Sequence, residues 1–158
     1  MSIPAPHATR QDYTVEIIAD PQHKRAHLEL LLLADPEIGM VERYLDRSEM
    51  FVWRASDGTV IGEAVVAPDG EIKNLAVVPA RQRQGWGRVL LEELCRHYRG
   101  RFEALTVGTS NCGIPFYERC GFRYWRTLPR FFADHYAEPV IDEDGSRCID
   151  MHLLRRPL

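Results

Sequence analysis

The part of this chain that most limits its possible folds is the junction at residues 71–98, where an extended apolar run meets a Gly-x-Gly turn and then a helical repeat. Residues 71–78 (EIKNLAVV) read as a strand stopped by Pro79. The segment RQRQGWGR follows. From Trp86 onward Leu90, Leu91, Leu94, Cys95 and Tyr98 recur at helical spacing, with Glu92, Glu93, Arg96 and Arg99 on the other face. A strand that passes through glycines into a helix start aims backbone N–H groups and the positive end of the helix dipole at one point. Gly85 and Gly87 permit close approach, and Arg81, Arg83 and Arg88 are available to phosphate oxygens. The pattern suits a pyrophosphate, but a plain strand, turn and helix with no ligand would look the same. Two common nucleotide motifs are excluded by the residues. The third glycine of a dinucleotide fingerprint would fall where Leu90 stands, and the Gly-Lys-Ser/Thr of a P-loop does not occur.

Around this junction the other segments alternate between strand and helix. Residues 13–18 read as a first strand, and residues 23–33 and 36–45 as two helices broken at Asp35-Pro36, because the position before proline disfavours helix. Residues 50–55 and 59–67 form a hairpin through Ser56-Asp57-Gly58-Thr59. Residues 102–107 read as a strand, 114–120 as a short helix closed by Gly121, and 122–128 and 148–154 as late strands. At 158 residues the chain is expected to be one domain, 1–158, with residues 1–11 as a loose arm carrying Pro4 and Pro6. The stretch 129–147 is long, aromatic and acidic enough to be a functional loop.

Charge and cysteine usage narrow the function. Lys and Arg number 20 against 23 Asp and Glu, a formal charge of -3, so no general positive field is available to hold a nucleic-acid backbone. An enzyme acting on aminoacyl-tRNA is disfavoured for the same reason. Cys95, Cys112, Cys120 and Cys148 have no CxxC spacing and no apolar leader precedes them, which points to reduced thiols in the cytoplasm. The longest apolar run, residues 30–34, is too short for a bilayer, so no membrane partner is expected. His23 and His27 stand at i, i+4, but no third ligand is recognisable, and no metal is expected. Cys95 lies on the apolar stripe of its helix, and Trp53 and Trp125 read as core or sheet-face residues.

The run Glu71-Ile-Lys-Asn-Leu-Ala-Val-Val-Pro followed by RQRQGWGRVLLEEL closely resembles the acetyl-CoA motif of the GNAT superfamily of N-acetyltransferases. Phe116-Tyr117-Glu118-Arg119-Cys120-Gly121-Phe122 resembles the same superfamily's short helix before its sixth strand, in the expected order and separation. Two motifs in register are more specific than either alone. The resemblance covers residues 50–128. The tail, with Phe131-Phe132, His135-Tyr136, Glu138-Pro139 and Cys148-Ile-Asp-Met151, resembles a little-characterised bacterial subfamily. The implied fold is α/β, the GNAT fold, with a single mixed, mostly antiparallel sheet of about six to seven strands flanked by about four helices.

The resemblance also implies chemistry: transfer of an acetyl group from acetyl-CoA, as cosubstrate, to an amine in a small molecule or peptide, by direct attack. A non-catalytic module that binds acyl-CoA is the alternative. The backbone of Leu75, Ala76 and Val77 would face the thioester and pantetheine, and Gln82, Arg83, Gln84, Gly85, Trp86, Gly87 and Arg88 would form the pyrophosphate cradle. Tyr117 would protonate the departing thiolate, with Phe116 beside it. Glu71 would act as general base, unless the amine arrives already deprotonated. The superfamily often has an asparagine seven residues before the tyrosine. Here that position is Ser110, with Asn111 next to it, and both are candidates for a coenzyme contact. Asp134, His135, Tyr136 and Glu138 are candidates for an acceptor pocket that would suit a cationic amine. The chain is expected to be a monomer or a homodimer.

Overall fold

The structure is a computed structural model that describes residues 12–158; the expected arm at 1–11 lies outside them. Among these residues seven strands form one sheet: β1 (Tyr13–Ile18), β2 (Glu49–Ala55), β3 (Val60–Val66), β4 (Glu71–Val77), β5 (Ala104–Thr109), β6 (Arg123–Leu128) and β7 (Met151–Pro157). Their order is β1-β2-β3-β4-β5-β7-β6. Every neighbouring pair is antiparallel except β4 and β5, which run parallel. This is the mixed, mostly antiparallel α/β sheet expected from the sequence. No helix among the described residues is long and apolar enough to cross a membrane.

Among the described residues six helices accompany the sheet, more than the four expected: α1 (Pro21–Arg25), α2 (Leu28–Ala34), α3 (Ile38–Glu42), α4 (Trp86–Tyr98), α5 (Ile114–Arg119) and α6 (Phe131–His135). The extra helices come from one split and one addition. Asp20 caps α1 by accepting from the His23 N–H at 2.8 Å, with Pro21 in the first turn. Residues 23–33 then divide at Ala26-His27. Lys24 holds α1 separately in place: its buried ammonium donates to the carbonyls of Leu45 at 3.0 Å and Ser48 at 2.6 Å. The addition, α6, lies in the stretch read as a loop.

Two strands begin two or more residues later than the sequence suggests. Phe102 closes α4 by donating its N–H to Tyr98 O at 3.2 Å and packing its ring 5.0 Å from that tyrosine, so β5 starts at Ala104. The backbone of Cys148 and Ile149 is bonded to Val140 and Phe132, so β7 starts at Met151.

Apolar residues fill both faces. Trp53, Ala64, Ile72, Leu90, Leu94, Tyr98 and Phe122 share the cluster under α4, and Ile18, Leu31, Val41, Leu45, Met50 and Val65 the cluster under α2 and α3. Two irregularities of β4 position the site. Val65 pairs with Asn74 but Val66 pairs with Ile72, so Lys73 is an extra residue in a β-bulge. The parallel ladder between β4 and β5 consists only of Glu71 with Thr106 and Ile72 with Val107. From Lys73 onward β4 stays on β3 while β5 runs with β7, and the two strands fork apart.

Candidate active site

The fork opens into a groove of about 1590 Å³ whose walls include Leu75, Ala76 and Val77 of β4, the turn before α4, Tyr117 of α5 and Phe131, Phe132 and Tyr136 of the late segment. On its β5 side the backbone of residues 73–77 has no strand partner, so its peptide groups are available to an extended ligand. The side chain of Gln82 folds back and donates to Val77 O at 3.0 Å, closing the end of that edge.

Beyond Val77 the chain makes a short 3-10 turn, Pro79–Arg81, and enters α4 through Gly85 at φ 87°. Arg83 also has a positive φ, 61°, a conformation disfavoured for a side chain with a Cβ. Left-handed residues interleaved in such a turn direct successive N–H groups into an anion-binding concavity. Gly87 lies against Phe116: a Cβ there would come within 2.9 Å of the ring. Arg83, Arg88 and Arg119 are exposed on the wall and have no carboxylate partner among the described residues. The structure therefore gathers Gln82, Arg83, Gly85, Trp86, Gly87, Arg88 and Phe116 along one groove. Gln84 is the exception; its side chain donates to Ala80 O at 3.1 Å and it lies off the wall.

Tyr117 packs 5.1 Å from Phe116 and 5.7 Å from Phe122, ring to ring. Burial, with smaller contributions from Cys120 and Glu63, raises its phenol well above the ordinary value, so it keeps its proton at neutral pH. Glu71 also lines the groove, and its carboxylate is ion-paired with Lys73 at 2.7 Å.

Ser110 lines the groove, but its hydroxyl donates to Asp142 at 3.0 Å. Asn111 does not reach the groove: it is exposed, off the wall, with its side-chain oxygen 2.6 Å from His152 Nε2. Of the four acceptor-pocket candidates only Tyr136 lines the groove. His135 has Nδ1 2.9 Å from Phe131 O, Asp134 pairs with Arg130 at 3.1 Å, and Glu138 is exposed outside the wall. Helix α6 accounts for this correction, because its outer face carries Asp134 and His135 away from the groove while Phe131 and Phe132 turn inward.

The sequence reading missed a buried polar network under the groove. Asp35 accepts hydrogen bonds from Tyr136 at 2.8 Å and Tyr44 at 3.1 Å, and Asn74 donates to Tyr44 Oη at 3.0 Å and Leu31 O at 2.9 Å. Burial raises the Asp35 carboxyl against the opposing pull of the two hydroxyls. Glu63 is wholly buried on the same face of β3, and neither of its oxygens has a hydrogen-bond partner. Both residues left a signal, since Asn74 and Glu63 interrupt otherwise apolar, alternating strands. Asp35 was visible only as the residue before a proline.

A family model described as the acetyltransferase (GNAT) domain matches residues 46–124, which contain the fork, the turn before α4 and α5. This chain belongs to the GNAT acetyltransferase family. A Bacillus subtilis (strain 168) relative, described as the uncharacterized N-acetyltransferase YvbK, is 34% identical over 130 residues, covering 78% of this chain and 83% of that protein. A GNAT family acetyltransferase from Elizabethkingia anophelis, solved with acetyl-CoA bound, superposes with a TM-score of 0.84 at 32% identity, covering 92% of this chain and 98% of that one. The IAA acetyltransferase of Bacillus cereus ATCC 14579 gives 0.82 at 32% identity, over 93% of this chain and 100% of its own. As a GNAT member the chain is an acetyl-CoA-dependent acyltransferase.

Proposed function

We propose that this GNAT enzyme is an N-acetyltransferase that passes the acetyl group of acetyl-CoA to a primary amine of a small molecule or peptide by direct attack on the thioester. The observation that carries the reading is the fork between β4 and β5, which opens beside the anion-binding turn and runs past Tyr117. Its residues fit the donor. The unpaired β4 edge suits the amide-bearing pantetheine arm, and the turn at Arg83–Gly85 with Arg88 suits a pyrophosphate. Acetyl-CoA supplies an activated acyl group whose leaving group is a thiolate.

In this reading the N–H of Leu75 holds the thioester oxygen and stabilises the charge that develops there, while Val77 positions the pantetheine as an added strand. Ala76 lies on the same edge, and Trp86 and Phe116 wall the cradle. Tyr117 gives its proton to the leaving sulfur. Glu71 takes a proton from the amine once Lys73 is displaced from its carboxylate. The competing route is an amine that arrives neutral and needs no base. Replacing Glu71 by Gln separates the two. A base role predicts that kcat/KM falls about a hundredfold at neutral pH and recovers as pH rises toward the amine's own pKa. An unchanged profile leaves the neutral-amine route.

The test of the reading as a whole is titration of the purified protein with acetyl-CoA, followed by thiol release in the presence of a panel of amines. Saturable binding with amine-dependent release supports it. Binding with no release for any amine overturns it.

A further inference from the structure

The acceptor end of the groove carries charge of the sign opposite to that expected for a cationic amine. Four acids line the groove: Asp35 accepts from the hydroxyls of Tyr44 and Tyr136, Glu71 pairs with Lys73, Asp142 accepts from the Ser110 hydroxyl and the Cys112 N–H, and Glu143 stands exposed in the late segment. Arg43 and Arg47, from the turn that follows α3, and Arg126 of β6 all line the groove. Arg25, Arg101, Arg130 and Arg156 elsewhere on the molecule each have a carboxylate within ion-pair distance. Among the described residues Arg43, Arg47 and Arg126 have none. Arg126 has a different neighbour, with its guanidinium 4.5 Å from the ring centre of Trp125. Arg43 is close enough to Tyr136 to oppose the rise of its phenol pKa, which places its charge near the hydroxyl that binds Asp35. These arginines are separate from the cradle formed by Arg83 and Arg88, which lies beyond the far end of β4. Leu33, Met40, Leu128 and Phe132 line the same groove.

From this arrangement we infer that the acceptor is an amine carrying its own anionic group, a carboxylate or phosphonate, on an apolar body. The inference rests on the N-acetyltransferase reading above. The anion is held by the Arg43 and Arg47 guanidiniums, whose forked donors match a two-oxygen anion, and this leaves the amine end pointing toward Glu71 and Tyr117. Two unpaired arginines four residues apart in a groove wall would otherwise repel each other and any cationic substrate.

The experiment measures acetyl-CoA-dependent thiol release with matched pairs of amines. Apolar α-amino acids are set against their amides, ω-amino acids against their amides, and aminoalkyl phosphonates against their diesters. The expected result is a preference of at least about tenfold in kcat/KM for the charged member of at least one class. The R43A/R47A variant should lose that preference through KM for the acceptor, while KM for acetyl-CoA stays where it was. Two outcomes overturn the inference and leave the N-acetyltransferase reading standing. One is equal or better turnover of the neutral member in every class, and the other is a variant that loses acetyl-CoA affinity instead. If no amine of either kind releases thiol, the N-acetyltransferase reading itself fails. Which class shows the preference distinguishes a carboxylate from a phosphonate.

Discussion

Desolvation raises the pKa of both Glu63 and Tyr117, with different consequences. Burial drives the Glu63 carboxyl well above its ordinary value, and no partner compensates either oxygen. An acid raised by folding binds more protons in the folded state than in the unfolded state, so its effect on stability worsens as pH climbs above the ordinary carboxyl value. Glu63→Gln has no such group. The melting temperature of the variant relative to the parent should therefore be higher at pH 8 than at pH 5, as measured by thermal denaturation at the two values. A constant difference would mean that Glu63 does not titrate in this range. Tyr117→Phe tests the other group. In the proposed role the ring is kept and the proton is lost, so kcat should fall about a hundredfold while the dissociation constant for acetyl-CoA, read by calorimetry, stays within about twofold.

For the elements, the sequence revealed more of the donor side than of the acceptor side. The strand, the Gly85-x-Gly87 turn and α4 were legible because each has a local signature: alternation, a positive φ at Gly85 and a helical apolar stripe. The fork was not, because whether β5 follows β4 for two residues or for its whole length is a matter of pairing between strands more than thirty positions apart, which no local pattern encodes. Asp35, Tyr44, Asn74 and Tyr136 were illegible as a group for the same reason. Their hydrogen bonds span up to 101 positions, and no local pattern encodes them. The close approach of Gly87 to Phe116 is a further long-range feature, with a direct test. A side chain at Gly87 must displace the ring that walls the cradle, so Gly87→Val should weaken acetyl-CoA binding by at least about tenfold in calorimetry and leave the circular dichroism of the fold unchanged.

At the scale of the whole molecule, a chain with a formal charge of -3 concentrates arginines along one groove. Attraction between that groove and a polyanionic donor acts through solvent-exposed guanidiniums, so it is screened by salt. Raising the salt from about 50 to about 500 mM should increase the dissociation constant of acetyl-CoA several-fold, because the Debye length shrinks well below the groove's dimensions over that range. A salt-independent constant would place the phosphates away from the arginines. The fork has a further consequence for the sheet as a framework. Four strands with α4 make one wing and three strands make the other, and between the wings only two residue pairs are joined by the parallel ladder. A ligand that pairs with the free β4 edge extends that seam. In the proposed function the donor is such a ligand: there it serves as a splint as well as a substrate, and each cycle of binding and release stiffens and loosens the line along which the two wings meet.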